Sequence, residues 1–157
     1  MSKYLFPAII FILAGFFIYR TWTNHKAADV NFAQGQEFLA QNAKNEGIVV
    51  TESGLQYQVI QEGTGTEHPT LDSKVTVHYH GTLINGEVFD SSVDRGEPIA
   101  FGLKQVIKGW QEGVQLMVVG QKIRLFVPST LGYGKNGSGP IPPATVLIFD
   151  IELLAID

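Results

Sequence analysis

An α+β fold is predicted for this chain: an antiparallel β-domain carrying one short helix, preceded by a transmembrane helix and a spacer helix. Three observations carry that expectation. From Gly47 to the end, apolar residues recur mostly at every second position, the period of a half-buried strand. Between Val106 and Met117 they recur every three to four, the period of a helix. Strands interrupted by one short helix make an antiparallel α+β domain. Ahead of Gly47, an uncharged apolar run covers Tyr4 to Tyr19 and a helical pattern follows it.

Taken in order, residues 1–24 read as an N-terminal transmembrane anchor. The run from Tyr4 to Tyr19, extended by Arg20, Thr21 and Trp22, approaches the roughly 20 residues that a hydrocarbon core of about 30 Å requires. Tyr4, Tyr19 and Trp22 stand where interfacial aromatics belong, and Arg20 can snorkel. A cleaved signal peptide is the rival, but Asn24-His25-Lys26-Ala27-Ala28 puts Lys26 where a small residue is needed. Residues 25–46 read as a spacer helix. Asn31 and Gln34 have capping-box spacing, and Gly47 suits the position just past a helix end. Phe32, Leu39 and Ala43, with Phe38 beside them, form a narrow apolar stripe, so the helix is either a solvated spacer or a pairing face for a homodimer.

Residues 47–157 form the third unit. Leu55 to Val59 alternates, and so does Val75 to Tyr79, with Val75, Val77 and Tyr79 on one face. Asn85-Gly86 signals a type I′ hairpin between Thr82-Leu83-Ile84 and Val88-Phe89. Ile123 to Val127 and Val146 to Ile156 are further strands. Val106, Ile107, Trp110, Val114 and Met117 place a short helix on the sheet, and Gly132 to Pro143 is an exposed loop.

Composition narrows the function. Lys and Arg number 11 against 15 Asp and Glu, so the basic footprint of a nucleic-acid binder is missing and no nucleic-acid partner is expected. With no cysteine, the fold uses neither disulfide nor thiolate. Gly132-Tyr133-Gly134-Lys135-Asn136-Gly137 matches a dinucleotide-loop spacing, but Pro140, Pro142 and Pro143 forbid the helix that must follow. His78 and His80 share one strand face, yet two histidines fall short of a metal site; neither metal nor cofactor is expected. Ser91 and Ser92 lack a nucleophile elbow. Asp90 is harder to dismiss. It follows Phe89 among apolar neighbours, where a carboxylate needs partners; Arg95 and the Tyr79 hydroxyl are the candidates, and a turn-capping aspartate is the plain alternative.

Several motifs in order carry a resemblance: Val77-His78-Tyr79-x-Gly81, Phe89-Asp90-Ser91-Ser92, Val106-Ile107-x-Gly109-Trp110-x-x-Gly113, Leu131-Gly132-Tyr133-Gly134, and Ile141-Pro142-Pro143 through Leu147, Phe149, Asp150 and Glu152-Leu153. They resemble the tacrolimus-binding, FKBP-type peptidyl-prolyl isomerases, in particular the bacterial branch with N-terminal helices. The resemblance implies a curved antiparallel sheet wrapped around one short helix. It also implies an apolar pocket that speeds X–Pro rotation during protein folding. In that pocket Trp110 would be the floor and Tyr79, Phe89 and Phe149 the walls. Val106, Ile107, Ile99 and Ile141 would line it, the Ile107 N–H and Tyr133 hydroxyl would bind the flanking chain, and Asp90, braced by Arg95, would face the twisted amide. Proline-containing polypeptides are the implied clients and tacrolimus-like macrolides the implied inhibitors. A bacterial inner-membrane location, single-pass, with a periplasmic domain, is the expected setting. A membrane-tethered, non-catalytic peptide-binding chaperone using the same cleft is the alternative.

Overall fold

The computed structural model describes the backbone of residues 5–157 and the side chains of residues 10–157. A single helix, α1 (Leu5–Asn42), replaces the two that the sequence suggests. Nothing between Thr23 and Val30 breaks it: the stretch has no Gly or Pro, and Ala27-Ala28 favour helix. Asn31 is therefore no N-cap. Its amide instead donates to the Pro143 carbonyl at 2.9 Å, tying the middle of α1 to the loop ahead of the last strand.

The span expected over residues 1–24 lies partly outside the described residues. Among the described residues no helix is long and apolar enough to cross a membrane. The single-pass anchor is therefore not met there.

Part of the apolar stripe on α1 packs on the sheet, while Phe32 and Ala43 stay exposed. Leu39 is buried with Phe126 and Val146, and Phe38, Ile48 and Ile148 pack against them. Phe38 and Phe126 stand 6.1 Å apart between ring centroids. A Cβ on Gly35 would lie 2.8 Å from Val146 Cγ2, so glycine permits the close approach. Gln56 closes the joint: its side chain accepts from Asn42 at 2.8 Å and donates to the Leu39 carbonyl at 2.9 Å.

The rest is one antiparallel sheet: β1 (Val49–Val50), β2 (Gln56–Gln61), β3 (Lys74–Thr82), β4 (Val88–Ser91), β5 (Ile99–Gly102), β6 (Lys122–Val127) and β7 (Leu147–Ile156). The order is β1-β2-β6-β7-β3-β4, with β5 also on β3. β4 pairs with residues 80–82 of β3 and β5 with residues 74–77, so the two short strands share one edge end to end. Two short helices complete the domain, α2 (Ser92–Arg95) and α3 (Lys108–Gln115). One sheet face, with Val75, Val77, Leu125, Ile151 and Leu153, buries against Trp110 and Val114 of α3 and Met117 just past it. Gly109 and Gly113 let α3 lie on β6: Cβ atoms there would reach 2.5 Å from Val127 and 2.8 Å from Leu125.

The β3–β4 hairpin differs from the expected two-residue turn. A type I′ turn needs positive φ at both Asn85 and Gly86. Only Gly86 has it, at +88°. Leu83 and Glu87 pair through a 2.9 Å hydrogen bond, and Gly86 donates to the Leu83 carbonyl at 3.0 Å. That is a three-residue loop with glycine at the bulge. β5 and α2 are elements that the periodicity did not predict.

Candidate functional site

The curvature of the sheet leaves a cavity of about 430 Å³ between α3, the β4–β5 edge and the loop before β7. Ten of the eleven residues singled out from the sequence line it: Tyr79, Phe89, Asp90, Ile99, Val106, Ile107, Trp110, Tyr133, Ile141 and Phe149. Arg95 is the exception; it stands behind Asp90. Phe101, Gln105, Ser138 and Pro140 also line the cavity and were missed.

Each wall is placed by its own element. Trp110 sits in the first turn of α3 and is 5% exposed. The rings of Tyr79 on β3 and Phe149 on β7 meet it edge-on at 5.2 Å each, and Phe101 lies tilted at 5.5 Å. Phe89 packs edge-on to Phe149 at 5.4 Å. Edge-to-face pairs set the positive rim of one ring on the negative face of the next, which fixes ring orientation beyond what area burial requires. Gly81 makes room for this: a Cβ there would lie 2.6 Å from Phe89 Cζ and 3.1 Å from Phe149 Cε1. The Trp110 indole N–H is buried with no hydrogen-bond partner among the described residues.

The polar edge is built by the β4–α2 corner. Ser91 caps α2 by accepting from the Asp94 N–H at 3.1 Å, and Gly96 ends it with φ +72°. Ser91, not Asp90, is thus the capping residue. This one turn swings Arg95 back over Asp90. Arg95 donates from Nη1 to Asp90 Oδ1 at 2.5 Å and from Nη2 to the Tyr79 hydroxyl at 3.2 Å, while that hydroxyl donates to Asp90 Oδ2. The guanidinium also lies 5.9 Å from the Tyr79 ring centroid. Burial works to raise the Asp90 pKa, but the bonds from Tyr79, Arg95 and the Ser91 N–H outweigh it and hold the carboxyl below its ordinary value. Burial, and then the bond to Asp90, push the Tyr79 phenol up. The bonds with Tyr79 and Asp90 raise Arg95 further. At neutral pH the edge therefore carries a carboxylate neutralised by one guanidinium, beside a protonated phenol.

The far side is the loop after β6. Tyr133 stands at its mouth, 43% exposed. Ser138 and Ile141 exchange hydrogen bonds of 3.0 and 2.8 Å, which pins Ile141 over the cavity. The glycine run opens only a three-residue turn, Gly134–Asn136, and no α-helix. His78 and His80 lie on the opposite sheet face, bonded to Ser92 at 2.9 Å and Ser91 at 2.8 Å. Among the described residues no three His, Cys, Asp or Glu side chains are placed to hold a metal ion.

Comparisons with known proteins show the family. Residues 65–154 match the model of the FKBP-type peptidyl-prolyl cis-trans isomerase domain, and residues 13–59 match the domain amino-terminal to such isomerases. The chain is 59% identical over 132 residues to the FKBP-type isomerase FkpA of Aeromonas hydrophila, covering 84% of this chain and 49% of that one. It is 51% identical to the FKBP-type 22 kDa isomerase of Escherichia coli, covering 79% and 60%. The crystal structure of FkpA from Escherichia coli superimposes with a TM-score of 0.94 at 39% identity, covering 100% of this chain and 73% of that one. The chain thus spans about half the length of the curated relatives it matches.

Proposed function

The chain belongs to the FKBP-type peptidyl-prolyl cis-trans isomerases, and from that premise we propose that its aromatic cavity speeds rotation about X–Pro bonds in polypeptide clients. The observation that carries the proposal is the stack of Tyr79, Phe89, Trp110 and Phe149 facing one neutralised carboxylate, Asp90. No Cys, His or Lys lines the cavity, and its one serine, Ser138, has no histidine or lysine there to activate it.

The chemistry required is modest. An X–Pro bond turns over a barrier of about 18–20 kcal/mol because resonance gives it double-bond character. At the top of the barrier that resonance is lost, and with it the charge separation that water stabilises. An aromatic enclosure therefore favours the twisted amide over the planar, hydrated one. Each 1.4 kcal/mol of that preference is worth about tenfold in rate.

The site residues divide the work. Trp110 is the floor under the pyrrolidine, and Tyr79, Phe89 and Phe149 are its walls. Val106, Ile99 and Ile141 exclude water on either side. The Ile107 N–H, which makes no hydrogen bond to another backbone group among the described residues, binds a client carbonyl, and the Tyr133 hydroxyl binds the flanking chain. Asp90, held by Arg95, faces the rotating amide. Tacrolimus-like macrolides occupy the same space and compete.

The uncharged run from Tyr4 to Tyr19 supports attachment of the domain to a membrane. Resistance to alkaline carbonate extraction tests the attachment, and a topology reporter fused after Asp157 tests the periplasmic side.

A protease-coupled assay on a proline tetrapeptide tests the activity. Asp90→Ala and Phe149→Ala should each slow isomerisation, with Phe149→Leu as the milder change if the alanine variant does not fold. Unchanged rates in a folded double variant overturn the assignment of this cavity. A parent chain that binds the peptide without isomerising it establishes the non-catalytic chaperone instead.

A further inference from the structure

Every side chain from Ile10 to Trp22 is exposed, on all faces of α1. A second helix could cover one face only; an environment that surrounds the helix covers all of them. At the lower end of this apolar cylinder the chemistry changes abruptly. Tyr19 and Trp22 stand exposed one turn apart on one face, and the Lys26 ammonium stands 5.3 Å from the Trp22 centroid. At the same level, a second cavity of about 290 Å³ opens between α1, from Phe17 to Ala28, and the loop after β6. Arg20 and His25 of α1 line it with Lys135 of the loop, together with Thr21, Asn24 and Asn136. It contains no carboxylate, and Asp29 is the first acidic residue of the chain. The Asn31–Pro143 hydrogen bond ties the loop region to α1, which helps hold Lys135 beside Arg20.

We propose that the cavity bounded by Arg20, His25 and Lys135 is a docking site for the headgroup phosphate of an anionic phospholipid. Charge complementarity selects the anion, and the encircling apolar stretch directly above selects a lipid over a free ion. Each cation near such a surface adds about fivefold to the attraction. Two of the groups come from α1 and one from the isomerase domain. Binding therefore orients the domain, with the Gly134–Asn136 turn against the headgroup layer and the mouth of the aromatic cavity beside it. The proposal rests on membrane attachment of the N-terminal run and goes beyond it.

The chain contains no cysteine, so Asn136→Cys labelled with a polarity-sensitive dye gives a clean probe. The full-length variant is reconstituted with vesicles of phosphatidylcholine alone or mixed with phosphatidylglycerol. The expected result is a blue shift that grows with the phosphatidylglycerol fraction, is lost in high salt, and is not competed by millimolar inorganic phosphate. Arg20→Gln and Lys135→Gln should each raise the half-saturating phosphatidylglycerol fraction about fivefold. Equal partition into both vesicles with no charge-dependent shift overturns the headgroup site and leaves attachment intact. Failure to partition into either overturns both. Competition by inorganic phosphate overturns the lipid assignment.

Discussion

Asp90→Asn preserves the shape of the side chain and removes its charge, which separates the electrostatic role of the cavity edge from its packing. In the parent chain Asp90 accepts from the Tyr79 hydroxyl, from Arg95 at 2.5 Å and from the Ser91 N–H. A hydrogen bond to a charged group contributes about 1.5–3 kcal/mol when shielded from water. Here the Arg95 and Asp90 side chains are 52% and 44% exposed, so solvent screening leaves the Asp90 carboxylate contributing about 1 kcal/mol or less. Tm should fall by no more than about 3 °C. The rate should fall further, because the proposed function sets the carboxylate against an amide enclosed by four aromatic rings. Removing one charge-assisted interaction there costs about 1.4 kcal/mol, which is tenfold in kcat/KM. Protease-coupled isomerisation and calorimetry on the same preparation read both quantities. A rate within twofold of the parent at unchanged Tm refutes the placement of Asp90 against the rotating bond. A Tm fall above about 6 °C refutes the argument from exposure.

Asp90 also fixes a pH dependence. Its folded pKa lies below the unfolded one, so its share of stability is complete above about pH 4 and is lost as pH falls through the folded value. Asp90→Asn should flatten the pH dependence of the unfolding free energy in that acid window; at pH 6–8 the slope should stay as in the parent, with the curve lower by the lost contribution of about 1 kcal/mol or less. Gly81→Ala forces the Phe89 ring aside and should lower kcat/KM by more than its stability loss of about 1–3 kcal/mol accounts for, as read by urea titration. Gly35→Val drives a methyl into Val146, on the sheet face away from the cavity; it should expose α1 to proteolysis near Asn42 while activity persists. Gln56→Leu leaves the Asn42 amide and the Leu39 carbonyl without their buried partner and should cost about 1–3 kcal/mol in urea unfolding.

What could be read from the chain alone follows from periodicity. β3 and β7 bury alternate side chains, and α3 buries Gly109-Trp110 and Gly113-Val114 one turn apart, so their patterns stand out. β5 is four residues long and largely exposed, so it offers no contrast to read, and α2 is a single turn. The hairpin was placed but its turn was mistyped. Asn85-Gly86 suits both geometries, and the Leu83–Glu87 pair across the strands settles which forms. The narrow apolar stripe on α1 suits a solvated spacer or a pairing face equally, and nothing in it says that Leu39 and Phe38 pack on Phe126, Val146 and Ile148 of the same chain.

The same division holds at the site. The sequence by itself determined the longer strands, the short helix α3, most of the aromatic residues and the family, because local spacing and residue type are properties of the chain. The meeting of Tyr79, Phe89, Trp110 and Phe149 around one cavity was decided only when β3, β4, α3 and β7 curved together. The charge state of Asp90 was likewise decided by the turn that brings Arg95 back upon it. Contacts between distant residues depend on how elements pack, and no spacing along the chain encodes that.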